Sequence, residues 1–218
     1  MNWALLAGLP EEDSRRFLAI ARRRRFSRGE IVFHEGDPGD ALHLIDKGRF
    51  AVRAGTAMGD STMISVLGPG QFFGELALVE EERRQATVSA LEPAETLSVL
   101  RDEFLKLRDD HPSVERVLVS VLAQDVRVTS RLLVEALYYS ADLRVLRRLV
   151  LIAEAWGEVK PGLVLPLTQE DIADLAGTTR PTANRVLRKV ESEGLVKLGR
   201  GRIELLDPDA LSVKARQR

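Results

Sequence analysis

The chain has 218 residues, 44% hydrophobic and 30% charged, a composition that can bury a core in one large or two ordinary domains and excludes a wholly disordered chain. It contains no cysteine, which excludes disulfides, thiolate-held iron–sulfur clusters and thiolate zinc sites, and fits a reducing compartment. The formal net charge of −1 is unevenly divided: residues 1–140 carry 18 basic and 22 acidic side chains (−4) and residues 141–218 carry 14 and 11 (+3), so a polyanionic partner is expected at the C-terminal part.

The opening MNWALLAGLPEEDSRRFLAIARRRRF has no basic start followed by an apolar run, and nowhere do about 18 apolar residues occur together, so a cytoplasmic protein with no membrane segment is expected. Residues 11–24 predict a short amphipathic helix with Phe17, Leu18 and Ala21 on one side, ending in Arg22 to Arg25 as a solvated face. From 29 to 100 the texture changes to short alternating strands punctuated by glycine, which predicts a small barrel or roll. Within it, RQATVSA places Arg84, Ala86, Val88 and Ala90 on one parity, so an arginine stands at the inner end of an apolar row and requires an anion.

After Pro112 a helix is predicted from Ser113 to about Tyr139, with two apolar stripes. Val119, Leu122, Val126, Thr129, Leu133 and Ala136 follow the 3,4 spacing of a coiled-coil seam, and Val114, Val117, Leu118, Val121, Val128 and Leu132 form a second face for the roll. A helix apolar on two sides needs two partners; a copy of the chain in a homodimer is the simpler second one, and burial inside a monomer is the alternative. Residues 140–156 predict another amphipathic helix. LTQEDIADLAGTTRPTANRVLRKVESEGLV then predicts two short helices about a glycine turn, with Thr168 and Asp171 as a capping box and Ile172, Leu175, Val186, Leu187 and Val190 inside. Thr179, Arg180, Thr182, Arg185, Arg188 and Lys189 crowd the second helix, the pattern of a helix-turn-helix. LVKLGRGRIELL alternates about Gly-Arg-Gly and predicts a two-stranded wing.

FGELAL at 73–78, RQATVSA at 84–90, VTS at 128–130 and GTTRPTANRVL at 177–187 together resemble the catabolite activator and anaerobic regulator (Crp/Fnr) family, over essentially the whole chain. The resemblance implies an α+β fold: a cyclic-nucleotide-binding β-roll at 1–110, a dimerisation helix at 111–139 and a winged helix-turn-helix at 140–218. It implies that Arg84 pairs with the cyclic phosphate of a 3′,5′-cyclic nucleotide, cyclic AMP foremost, with no covalently bound cofactor. Amides at the start of the GELAL turn, Gly74 and Leu76, would meet the remaining charge, Glu75 would accept from the ribose 2′-hydroxyl, Gln85 would flank the phosphate, and Thr129 with Ser130 would contact adenine across the dimer seam. The implied DNA face comprises Thr168, Gln169, Thr179, Arg180, Pro181, Thr182, Arg185, Lys189 and Arg200, with Arg180 and Arg185 reading guanines in an inverted-repeat duplex and RNA polymerase as a further partner.

Three departures from the family pattern stand out. Between Glu75 and Arg84 lie eight residues, one fewer than the pattern implies, three of them consecutive acids. Gln85 replaces a small hydroxyl residue, and Pro181 replaces a glutamate that accepts from cytosine, so base readout there is expected to weaken while the helix tolerates proline in its first turn. Alternatives remain: a salt bridge from Arg84 to Glu80, Glu81 or Glu82; a regulator of the same fold whose pocket is filled by its own side chains; a cyclic-nucleotide-binding subunit of an enzyme. No Ser-His-Asp grouping, metal-ligand spacing or Walker-type loop is read, so an enzyme is not expected, and His34, His43 and His111 are expected at turns or the surface.

Overall fold

The computed structural model describes residues 3, 5–7, 9–56, 61–76 and 82–216. They form two compact units, one running to Ser61 and from Ser65 to Thr129, the other comprising Thr62–Ile64 and the chain from Ser130 onward.

The first unit is a roll of two four-stranded sheets. Helix α1 (Glu11–Ile20) opens with Glu11, Glu12 and Asp13, acids placed against the positive end of the helix dipole, and is followed by β1 (Arg22–Phe26), β2 (Ile31–Phe33), β3 (Ala41–Lys47), β4 (Phe50–Gly55), β5 (Ser61–Leu67), β6 (Phe72–Phe73), β7 (Thr87–Ala90) and β8 (Ala94–Leu100). One sheet runs β1-β8-β3-β6 and the other β2-β7-β4-β5. The four arginines 22–25 are solvated as expected, yet they do not end a helix: Ala21 is extended and β1 pairs antiparallel with β8, from Arg22 opposite Ser98 to Phe26 opposite Ala94. β1 is an edge strand, and arginines along an edge discourage pairing with another chain while Arg23 meets Asp46 and Glu95.

β3 is buried on both faces. Leu42 and Leu44 join Val99 in a layer with Trp3, Phe17 and Phe104, covered by α1, α2 (Arg101–Asp110) and the first turns of α3 (Pro112–Tyr138) through Val114 and Leu118. Ile45 faces the roll interior with Phe26, Phe50, Phe73 and Val88. Helix α2 was not expected; RDEFLKLRDD is largely charged, and buried Phe104 and Leu107, with half-buried Leu105, anchor it. α3 meets its expected bounds within a residue, but its second stripe covers the roll only in part: Val114 and Leu118 are buried, whereas Val128 is exposed. The seam faces out at Val119, 61% accessible, and Val126, 65%, whereas Leu122 is half-buried against the roll.

Asp13, His111 and Ser113, far apart in sequence, do come together. The serine hydroxyl donates to Asp13 (2.6 Å), His111 Nδ1 faces the other carboxylate oxygen (2.8 Å), and His111 Nε2 lies 3.0 Å from Arg16. A nucleophilic serine needs the imidazole as its base, and here the serine proton points to the carboxylate, so the cluster ties α1 to the α2–α3 junction.

In the second unit, α4 (Ala141–Ala155) is capped by Ser140, which accepts from Leu143 N (3.3 Å). A short strand β9 (Val164–Leu165) precedes α5 (Gln169–Leu175), α6 (Arg180–Ser192), β10 (Val196–Gly199), β11 (Arg202–Leu205) and α7 (Pro208–Arg216). The wing has three strands rather than two, because Val164 and Leu165 pair with Glu204 and Ile203 in the order β10-β11-β9. Both bonds of the capping box at Thr168 and Asp171 form.

His43 corrects the surface expectation for the histidines: it is buried, stacked on Phe73 with ring centroids 5.0 Å apart, and bonded through Nδ1 to Thr96 Oγ1 (3.1 Å). Burial first, and the charge of Arg84 second, lower its pKa from 6.5 to about 4. The unfolded chain therefore takes up a proton below pH 6.5 that the folded chain refuses until about pH 4. Stability is complete above pH 6.5 and falls through that window by up to about 3 kcal/mol from this group. Urea unfolding at pH 7 and pH 5 should show a smaller acid loss for His43→Phe than for wild type; equal losses would refute the assignment.

Candidate nucleotide pocket and nucleic-acid interface

The row of Arg84, Val88 and Ala90 holds in the folded unit: all three are buried, although the strand begins only at Thr87. The Arg84 guanidinium is held on several sides. Nη1 donates to Gly74 O (3.0 Å), Nη2 donates to Ala41 O (2.8 Å) and to Asp40 Oδ1 (3.0 Å), and the guanidinium carbon stands 4.0 Å over the Phe33 ring. Nε is buried with no hydrogen-bond partner among the described residues. The anion that Arg84 meets is thus Asp40, not Glu82; Glu80 and Glu81 lie outside the described residues, as do the last two residues of FGELAL. Burial pulls the Arg84 pKa down, and the Asp40 carboxylate pushes it back up.

The two partners are unequally exposed: the Arg84 side chain is 2% accessible and that of Asp40 78%. Asp40 can return to water at little cost, whereas Arg84 cannot, so the carboxylate is the replaceable member. Gly74 closes the cradle from the other side. Its φ is +90°, and a Cβ there would stand 2.6 Å from Arg84 Nη1 and 2.8 Å from Ala41 O. Glu75 is half-buried; burial raises its pKa, Asp125 of α3 adds repulsion, and Arg84 opposes both. Leu76 and Gln85 are exposed, as are Thr129 and Ser130 on α3. Sequence reading missed Asp40, Ala41, Phe33 and Asp125. Asp37 and Asp40 flank Pro38 and Gly39 in a polar turn, but no periodicity connects Asp40 to Arg84, 44 residues on.

On the second unit, α6 carries Arg180, Pro181, Arg185 and Lys189 exposed, with Ala183, Val186, Leu187 and Val190 inward. Pro181 sits in the first turn, where its missing N–H costs no intrahelical bond. Thr179, the N-cap, and Thr182 bond each other through their hydroxyls (3.0 Å). Gln169 is bonded to Asn184, and Arg188 to Glu191 (2.7 Å), which also accepts from Leu198 N (2.8 Å) and so fixes the wing to α6. Thr168 is exposed at the start of α5 and Arg200 at the turn between β10 and β11. Arg185 forms a two-point ion pair with Asp142.

Comparison with known proteins matches a cyclic nucleotide-binding domain over residues 23–111 and a Crp-like helix-turn-helix domain over residues 143–213. The cyclic AMP receptor protein of Thermus thermophilus is 32% identical over 202 residues, 92% of this chain and 91% of that protein. The chain belongs to the Crp/Fnr family. It is a Crp-like transcription regulator with a cyclic nucleotide-binding domain. The CRP-like cAMP-activated global transcriptional regulator of Mycobacterium tuberculosis is 29% identical over 194 residues, 88% of this chain and 87% of that protein. Among solved structures, the Thermus thermophilus catabolite activator protein aligns with a TM-score of 0.56 at 31% identity, covering 97% of this chain and 98% of that one. The c-di-GMP responsive regulator CLP of Xanthomonas campestris shares the fold, with a TM-score of 0.76 at 23% identity over 90% of this chain and 99% of that one. Among the described residues no helix is long and apolar enough to cross a membrane.

In this member of the family, Gly74→Ala should cost more than the backbone term alone. A non-glycine residue at positive φ costs about 1–2 kcal/mol. Gly36, at φ +85° with nothing within 4 Å of an added Cβ, supplies the control. Chemical denaturation should show Gly36→Ala losing the backbone term and Gly74→Ala at least about 1 kcal/mol more; equal losses would mean that the close approach at Arg84 is relieved without strain.

Proposed function

We propose that this regulator is a homodimer whose β-roll binds a cyclic nucleotide, cyclic AMP foremost, and whose two winged helices read an inverted-repeat DNA site in the cytoplasm, in contact with RNA polymerase. The division proposed is a roll at 1–110, a dimerisation helix at 111–139 and a DNA-binding part at 140–218. One observation carries the ligand assignment: a buried guanidinium whose charged partner is a solvent-exposed carboxylate. A cyclic phosphate is the same charge in a form that can meet two guanidinium N–H groups, including the orphaned Nε. The lack of a side chain at Gly74 admits the Arg84 guanidinium, and Glu75 would accept from a ribose hydroxyl. Thr129 and Ser130 would reach the base from the dimer helix. The relatives' names support cyclic AMP as the ligand to try first.

The same ion pair favours a second reading, in which Asp40 is the permanent partner of Arg84 and the regulator needs no small molecule. Isothermal titration separates the two. Wild type should bind cyclic AMP, cyclic GMP or a cyclic dinucleotide, and Arg84→Leu should bind none while keeping its folded circular-dichroism spectrum, because leucine fits an apolar row but cannot pair with phosphate. Heat evolved by none of the three nucleotides with wild type would favour the ligand-independent reading.

The dimer has its own support in the outward seam of Val119, Val126 and Leu133, apolar side chains accessible on a single chain. Val119→Glu with Val126→Glu would set like charges across the two-fold axis. Light scattering should then report monomers, and specific DNA binding should fall by at least about tenfold because half-sites one DNA turn apart need two linked recognition helices. A dimer surviving both substitutions would place the interface elsewhere.

A further inference from the structure

Two exposed cations of the recognition helix α6, Arg185 and Lys189, lie one turn apart and face a single carboxylate, Asp142, in the first turn of α4. Helix α4 packs on α6, and its cap at Ser140 fixes where that first turn begins. Arg185 Nη1 donates to Asp142 Oδ2 (3.0 Å) and Nη2 donates to Oδ1. Both terminal nitrogens are therefore taken by the carboxylate. The hydrogen bond to Arg185, reinforced by the charges of Arg185 and Lys189, holds the Asp142 carboxyl below its ordinary value, so it is ionised wherever DNA binding would be measured.

An arginine that reads guanine end-on spans O6 and N7 with the same two nitrogens. It cannot make both pairs at once. We propose that Asp142 is a determinant of DNA affinity and base selection that competes with guanine for Arg185. This rests on the reading that Arg185 contacts a guanine. With 60% and 46% of the two side chains accessible, the pair is a weak brake, worth about a two- to fivefold shift per half-site.

The test is a double-mutant cycle on the full-length chain, using the duplex that wild type selects from a random DNA pool and a scrambled duplex of the same length, with and without cyclic AMP. Asp142→Asn and Asp142→Ala should each tighten binding to the selected duplex about two- to fivefold per half-site, the gain narrowing as salt rises. In an Arg185→Ala background the gain should vanish. If it persists there, or is equal on the scrambled duplex, Asp142 merely repels phosphates and the competition is overturned. If the Asp142 variants bind more weakly, the carboxylate buttresses the arginine, which also overturns it. The underlying reading fails separately: Arg185→Ala would then bind the selected duplex as tightly as wild type.

Discussion

A guanidinium placed where water cannot reach it makes a demand that the whole first unit answers. Leaving Arg84 unpaired would cost several kcal/mol, roughly, so the surrounding backbone turns acceptors toward it: the carbonyls of Ala41 and Gly74, with the Phe33 ring beneath. Gly74 has its positive φ and lacks a Cβ because the arginine occupies the space a side chain would need. Asp40 supplies the charge. It does so from the solvent side, with its own side chain 78% accessible. The neutral state of His43 belongs to the same arrangement, since the imidazole shares a desolvated interior with that cation.

The second unit handles its cations differently. Arg144 is inward-working: Nε donates to Ala176 O (2.8 Å), Nη2 to Gly177 O (2.9 Å) and Nη1 to Tyr139 O (2.8 Å), so one side chain holds the end of α3 to the turn of the helix-turn-helix. Buried Glu135 is matched by Arg147 and Arg148 across the α3–α4 corner. Arg188 is drawn aside to Glu191, and Arg185 to Asp142, while Arg180, Lys189 and Arg200 stand exposed. The net positive charge of the C-terminal part is thus sorted by structure into cations that shape the unit and cations that face outward.

The sequence by itself determined the elements that rest on periodicity or on local chemistry. Alternation along RQATVSA put Arg84 inside, the unbroken run after Pro112 made one long helix, and the capping box with the glycine turn marked the helix-turn-helix. Each of these is fixed by side chains within a few residues of one another, so a linear pattern carries the information. What only the tertiary structure decided are the pairings across distance. Arg22 to Arg25 became an edge strand because β8 offered a partner, not because arginine favours strands. His43 was buried because β3 is covered on both faces, by helices on one side and the roll interior on the other, which no single-strand pattern reveals. Asp40 reached Arg84 from 44 residues away, and Asp142 reached Arg185 from 43. A charge announces in the sequence that it needs a counter-charge; which one it meets depends on how the strands and helices are packed, and that is settled by the burial of the apolar residues between them.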